Sequence, residues 1–306
     1  MFNSLISLMV MMFLLILIGF MLRKTGKFTD AGKKTVVDLI LYVIIPANII
    51  KSFSAEIGDD ATFFVTIILV GIFSNLLQIV IAKFVYRKLP EDIRSIYRYS
   101  TIVPNSGFIG IPLAESVFGI IGLTYASISL IPNRFVVWTG GVTCFSTELD
   151  YKKMIKETLT HPCIIATFIG IFIMFAKITL PEPILQTITT CSNACTSLTM
   201  IYVGTILGDI NFKESLFSKS IFNFCIMRLI IIPAIIYMVC TAFSMEPLIT
   251  GVSVILCATP AGSTTSIMAS KYGANEKVAT KIVILSTALS LITIPLWSII
   301  LLSAIK

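Results

Sequence analysis

Few side chains in this sequence can do chemistry, and most of those lie inside apolar runs. Arg134 stands in Ile131-Pro132-Asn133-Arg134-Phe135, near the middle of a long apolar stretch. A guanidinium at the centre of a bilayer costs at least about 2.5–3.5 kcal/mol, so it must face a wet cavity or a partner. Held that way it is a receptor for an anion, with capping of broken-helix carbonyls as the plain alternative. Asn105 stands in Val103-Pro104-Asn105-Ser106-Gly107-Phe108-Ile109-Gly110-Ile111-Pro112, where its amide can bridge backbone groups or a ligand. The hydroxyls Ser263-Thr264-Thr265-Ser266 follow a second proline and glycine, Pro260 and Gly262; back-bonding to helix carbonyls is their plain alternative. Asn48, two residues after Pro46, completes the candidate substrate-binding set of Pro104, Asn105, Ser106, Gly107, Pro260, Gly262, Ser263, Thr264, Arg134 and Asn48.

Ion coupling has fewer candidates: Glu115 beyond Pro112, with Asn75 and Gln78 inside an apolar run. Arg228 reads as shallower, within snorkelling reach of the inner face, and Lys51 as an interface residue at the outer face. Asp38 and Asp209 fall at cytoplasmic helix ends, and the single histidine, His161, precedes Pro162 at the inner interface. No nucleophile stands with a base, and no metal set is evident. Cys191 and Cys195 are one helical turn apart without a second ligand pair, and the other cysteines are scattered through apolar runs. The reading is therefore not an enzyme, with no metal and no cofactor. A coupling ion, H+ or Na+, stays open.

These residues need a frame. The 306 residues are 56% hydrophobic and 13% charged, with mean hydropathy +0.96. A soluble domain carries about 25% charged residues, so this is an integral membrane protein with room for about ten spans. The net charge of +7 falls in short loops between apolar runs, which reads as membrane topology signalling rather than nucleic-acid binding. The first apolar run, Leu5 to Leu22, lacks a basic n-region and reads as a retained span, not a signal peptide.

The expected spans are Asn3–Leu22, Val36–Phe53, Ala61–Tyr86, Ile93–Val117, Gly122–Phe145, Pro162–Leu180, Ile184–Leu207, Leu216–Phe243, Leu248–Ser270 and Val278–Leu302. Alternate loops hold about 18 of the 23 lysines and arginines, which makes them cytoplasmic and puts both termini outside. The opposite loops carry Glu56, Asp59, Asp60, Glu182 and Glu246. The midpoint falls in a cytoplasmic loop. Residues 1–150 then form one five-span repeat, 151–161 a short linker, and 162–306 a second repeat of opposite orientation. The fourth span is broken at Pro104–Gly107 and the ninth at Thr259–Gly262, about 155 residues apart and close to half the chain. A lone break is often a simple kink; matched breaks in inverted halves point to a secondary transporter's binding site.

Those motifs resemble the auxin efflux carrier family, particularly its compact prokaryotic members, and more distantly the PIN-type auxin carriers of plants. The match runs through Pro104–Pro112, Ala258–Gly262 with Ala269–Gly273, Leu39–Asn48 and Arg228–Pro233. The resemblance implies an all-α membrane fold of ten helices in two inverted five-helix repeats. It implies crossing fourth and ninth helices, as in sodium/proton antiporters and bile-acid symporters. It further implies an elevator motion of one domain against a scaffold, a homodimer in the cell membrane, and organic-anion substrates such as malate, malonate or auxin. The central loop is short, unlike that of plant members. The seventh span reads Ser197-Leu198-Thr199 where family members often carry a proline.

The function expected is secondary active or facilitative transport of small organic carboxylates across the lipid bilayer. The alternatives are a sodium- or proton-coupled cation carrier on the same fold and a receptor that does not transport.

Overall fold

The computed structural model describes residues 2–54, 61–137, 141–145, 152, 155–156, 159–209 and 218–304. Expectations for Glu56, Asp59 and Asp60, five of the eleven residues of the 151–161 linker, the stretch 138–140 and the start of the eighth span at Leu216 lie outside these residues.

The described residues are helical apart from turns and one isolated bridge. In chain order the helices are α1 (Phe2–Lys24), α2 (Asp30–Leu39), α3 (Ile45–Phe53), α4 (Ala61–Val85), α5 (Glu91–Ile102) and α6 (Ile111–Val136). They continue with α7 (Pro162–Phe175), α8 (Glu182–Asn193), α9 (Cys195–Gly208), α10 (Lys219–Ile226) and α11 (Ile232–Ala242). The last are α12 (Pro247–Cys257), α13 (Thr264–Lys271) and α14 (Glu276–Ala304). Five stretches of the described residues are long and apolar enough to cross a membrane: Asp30–Phe53, Thr62–Val85, Ser106–Val136, Lys219–Ala242 and Glu276–Ser303. Large apolar side chains such as Phe172 and Leu69 face outward, while Asn48, Asn75, Gln78 and Arg228 are buried. That distribution suits hydrocarbon surroundings, where polar groups must find partners inside the protein.

Local chemistry sets the helix ends. Thr29, Ser218 and Glu246 cap α2, α10 and α12 by accepting main-chain N–H bonds from Gly32, Ile221 and Ile249. His161 does the same for α7 through Cys163, and Pro162 and Pro247 sit in first turns, where no N–H bond is lost.

Three widened π turns, Ile40–Ile44, Ser106–Gly110 and Met227–Ile231, each lie just before a proline: Pro46, Pro112 and Pro233. A proline ring pushes aside the carbonyl four residues earlier and offers it no N–H. Those carbonyls belong to Tyr42, Phe108 and Leu229, the middle residues of the three turns. The freed Leu229 carbonyl accepts the Trp297 indole N–H at 2.9 Å.

Helix α6 is two runs. Gly119 has φ 71° and ψ −161°, and a Cβ on Gly122 would lie 2.6 Å from the Ala114 carbonyl oxygen. Eight residues of straight helix span about 12 Å, so the chain folds back at Gly119.

Packing divides the helices into two sets. Helix α1 lies tightly along α9: Gly19 and Gly204 sit where a Cβ would collide with the carbonyls of Ile201 and Ile16. At the polar end Asp209 is held by Arg23, at 2.5 Å, and by Lys33. Helix α3 packs on α7 and α8, with the Phe53 ring over Gly170. The second set joins α4, α5, α6 and α10–α14.

Candidate functional site

The site is built where two interrupted helices cross. After α5 ends at Ile102, Val103 is extended (φ −111°, ψ 90°) and helical structure resumes at Ser106. After α12 ends at Cys257, it resumes at Thr264. The two gaps pair as an antiparallel bridge between Pro104 and Ala261. The Asn105 N–H donates to the Pro260 carbonyl at 2.9 Å, and the Gly262 N–H donates to the Val103 carbonyl at 2.9 Å. Ala261 N–H, which would otherwise be left over, donates to the Ser286 hydroxyl at 3.2 Å. Each break thus supplies the partners that the other break lost, which is how broken backbone survives at membrane depth.

Side chains reinforce the crossing. Ser106 Oγ donates to the Leu256 carbonyl at 3.0 Å and lies 3.2 Å from Thr259 Oγ1. Tyr99 Oη lies 3.1 Å from Thr264 Oγ1. The Tyr202 ring meets the Phe108 ring at 5.4 Å, and its hydroxyl approaches Ser263. Asn105 is buried, and its Nδ2 has no partner. Pro260 and Gly262 are buried as well, while Pro104, Gly107 and Ser263 are half-buried and Thr264 is exposed.

Arg134 reaches this crossing. A Cβ on Gly107 would lie 2.9 Å from Arg134 Nη2, so the absence of a side chain at 107 is what admits the guanidinium. Arg134 lies in the last turn of α6, and the continuation of the expected span through 138–140 lies outside the described residues. It also lines a cavity of about 10 Å³ with Ser127, Cys163 and Thr167, room for about one water molecule. The neighbouring His161 imidazole is driven down to about 3, by burial first and by the Arg134 charge second. A larger cavity of about 60 Å³ between α1, α6, α9 and α14 is lined almost wholly by apolar side chains, among them Met12, Leu113 and Met200.

The remaining candidates gather elsewhere. Asn48 is fully buried and donates from Nδ2 to Glu115 at 3.0 Å, while its Oδ1 accepts from Ser192. This cluster ties α3 and α8 to α6. Asn75 accepts from Asn133 at 2.9 Å and donates to the Gly71 carbonyl at 2.7 Å, joining α4 to α6. Gln78 accepts from Arg228 at 3.0 Å. Arg228 does not snorkel: it is 0% exposed, and its π turn holds it inward. The ion pairs of the described residues join Arg23 to Asp30 and Asp209, Lys33 to Asp209, and Arg94 to Glu91; none involves Arg134 or Arg228.

Sequence reasoning missed Tyr99, Tyr202 and Ser286. The signal was there for the tyrosines, since a phenol in an apolar run needs a hydrogen-bond partner. Nothing in the spacing marked Ser286. The seventh span is interrupted without proline, at Ala194 between α8 and α9.

Two relatives align with nearly the full chain. One is an uncharacterized transporter of Methanocaldococcus jannaschii, 24% identical over 95% of this chain and 96% of the relative. The other is an uncharacterized transporter of Methanothermobacter thermautotrophicus, 23% identical over 94% of this chain and 95% of the relative. The family described as membrane transport protein matches in two successive segments, residues 4–156 and 146–298. The chain belongs to this membrane transport family, that of the auxin efflux carriers.

Proposed function

We propose that this membrane transporter carries small organic anions, carboxylates above all, with the crossing as its binding site. The observation that carries the reading is Arg134 pressed against Gly107 beside the unpartnered Asn105 amide. A cation meets the backbone at 107, an unpartnered N–H donor stands two residues before it, and no carboxylate of the described residues pairs with the cation. Pro104, Pro260, Ser106 and Gly262 shape the crossing, and Ser263 and Thr264 lie at its more open side. The N-terminal ends of the resumed helices add partial positive charge.

In this reading ten spans form two inverted five-helix repeats, residues 1–150 and 162–306, with both termini outside the cell membrane. The equal lengths of the two family-matched segments and the matched breaks support it. The two packing sets support elevator movement of α4–α6 and α10–α14 against a scaffold of α1–α3 and α7–α9, which would also hold the homodimer contact. Uptake of labelled dicarboxylate into proteoliposomes tests the assignment. Asn105→Ala and Arg134→Ala should each abolish most of the flux, and unchanged flux in both would sink it.

The Asn48–Glu115–Ser192 cluster favours a coupling role for H+ or Na+. Glu115 is a half-buried carboxylate held across the two packing sets. Flux driven by a proton or sodium gradient should become gradient-independent in Glu115→Gln. Retained gradient dependence would remove Glu115 from coupling.

A further inference from the structure

Arg228 makes none of the bonds of the crossing, yet it is the largest side chain among those fully buried. Its Nη1 donates to Gln78 Oε1 at 3.0 Å, and Gln78 is itself anchored to the Ser74 carbonyl at 3.0 Å. Its Nε and Nη2 have no partner. Those two atoms form one edge of the guanidinium, the fork that meets both oxygens of a carboxylate. Buried charges are ordinarily paired, and a close-packed apolar side chain of similar volume is commonly no less stable than a buried ion. Arg228 therefore costs stability without a counter-charge among the described residues.

Its placement is specific. It stands in the widened turn before Pro233, next to Leu229, whose freed carbonyl is tied to Trp297. The guanidinium lies within Coulombic reach of Cys257, the last residue of α12 before the second break. Arg134 approaches the first break through Gly107. Both arginines are linked to α4: Asn133, beside Arg134, bonds Asn75, and Arg228 bonds Gln78, three residues along the same helix.

We infer that Arg228 is a second anion-recognition residue, taking one carboxylate of a dicarboxylate on its Nε–Nη2 edge while the crossing at Asn105 and Arg134 takes the other. This rests on the crossing being an organic-anion site. Two guanidinium groups, one toward each break, select a cargo with two negative charges over one with a single charge.

Thermal unfolding of the full chain in detergent, titrated with malonate or acetate at constant ionic strength, tests this. Wild type should be stabilised by both, with the malonate midpoint lower by about tenfold or more, the value of one further charged hydrogen-bonded contact. Arg228→Lys keeps the charge and loses the fork; Gln78→Glu supplies an internal carboxylate to the same guanidinium. Both should raise the malonate midpoint to that of acetate and leave the acetate midpoint in place. Arg228→Met should do the same while melting, without anion, at or above wild type. A wild-type malonate-to-acetate ratio in the Lys and Glu variants would overturn the assignment and make Arg228 a strut. Stabilisation of wild type by neither anion would instead overturn the organic-anion reading beneath it.

Discussion

The main-chain N–H of Asn105 bonds the Pro260 carbonyl at 2.9 Å, while the Asn105 side-chain amide has no partner. The backbone of this residue holds the fold, and its side chain is left for another task. Asn105→Ala should therefore melt close to wild type. A lost hydrogen bond to a charged ligand is worth about 1.5–3 kcal/mol, so apparent affinity should fall about 10- to 100-fold. Concentration-dependent uptake and a melting curve on the same preparation check both parts. A large fall in melting temperature would show that the amide is structural.

Glycines on the two sides of the crossing should fail differently. A Cβ at 107 meets only the mobile end of Arg134, at 2.9 Å. Gly107→Ala should fold, displace the guanidinium and weaken anion binding. A Cβ at 262 meets the Val103 carbonyl at 2.9 Å, the acceptor of the bridge itself. Gly262→Ala should cost about 1–3 kcal/mol of stability, read as a lower melting temperature.

The α1–α9 contact depends on bare backbone. Gly19→Ala or Gly204→Ala would drive a methyl into the facing carbonyl, forcing the helices apart. Each should destabilise by about 1–3 kcal/mol, and Gly26→Ala, with open space around its Cβ position but φ 72°, should be milder. Melting temperatures of the three variants in one detergent decide the order.

The His161 pKa sets an acid limit. It is lowered from 6.5 to about 3, by burial and then by Arg134, so the unfolded chain takes up this proton more readily than the folded one. The contribution to stability is complete above about pH 6.5 and is lost as pH falls toward 3. His161→Asn keeps a capping residue and removes the titration. Across this window it should lose melting temperature less steeply than wild type. Arg134→Ala should lessen the wild-type slope, since its charge is the second cause. Equal slopes in all three proteins would disprove the coupling.

Much of the frame was legible because it is written in strong local signals. Pro104 with Gly107, and Pro260 with Gly262, cannot sit in regular helix, and the helices stop at Ile102 and Cys257 as expected. Depth along a span was read less well. Its distance from the inner loop suggests that Arg228 snorkels, whereas it is buried in a π turn and bonded to Gln78 across the interface. Arg134 reads as mid-span, and the residues that would carry that span on, 138–140, lie outside those described. Its proline groups Asn48 with the crossing, whereas its partners, Glu115 and Ser192, lie far along the chain. Periodicity tells which residues share a helix face; which neighbour that face meets depends on packing that no short window contains.

The mutual bonding of the two breaks also constrains how the protein is made. Ser106 and Thr259, which touch in the finished crossing, are 153 residues apart. At about 5–20 residues per second the ribosome needs roughly eight to thirty seconds to supply the second break after the first. Until then Val103 O and Asn105 N–H have no protein partner, and hydrocarbon offers them none. The nascent first half must wait in water, against the insertion machinery or against its own hydroxyls. Neither half is a finished object by itself, and a chain truncated before Pro260 is expected to be cleared rather than stored in the membrane.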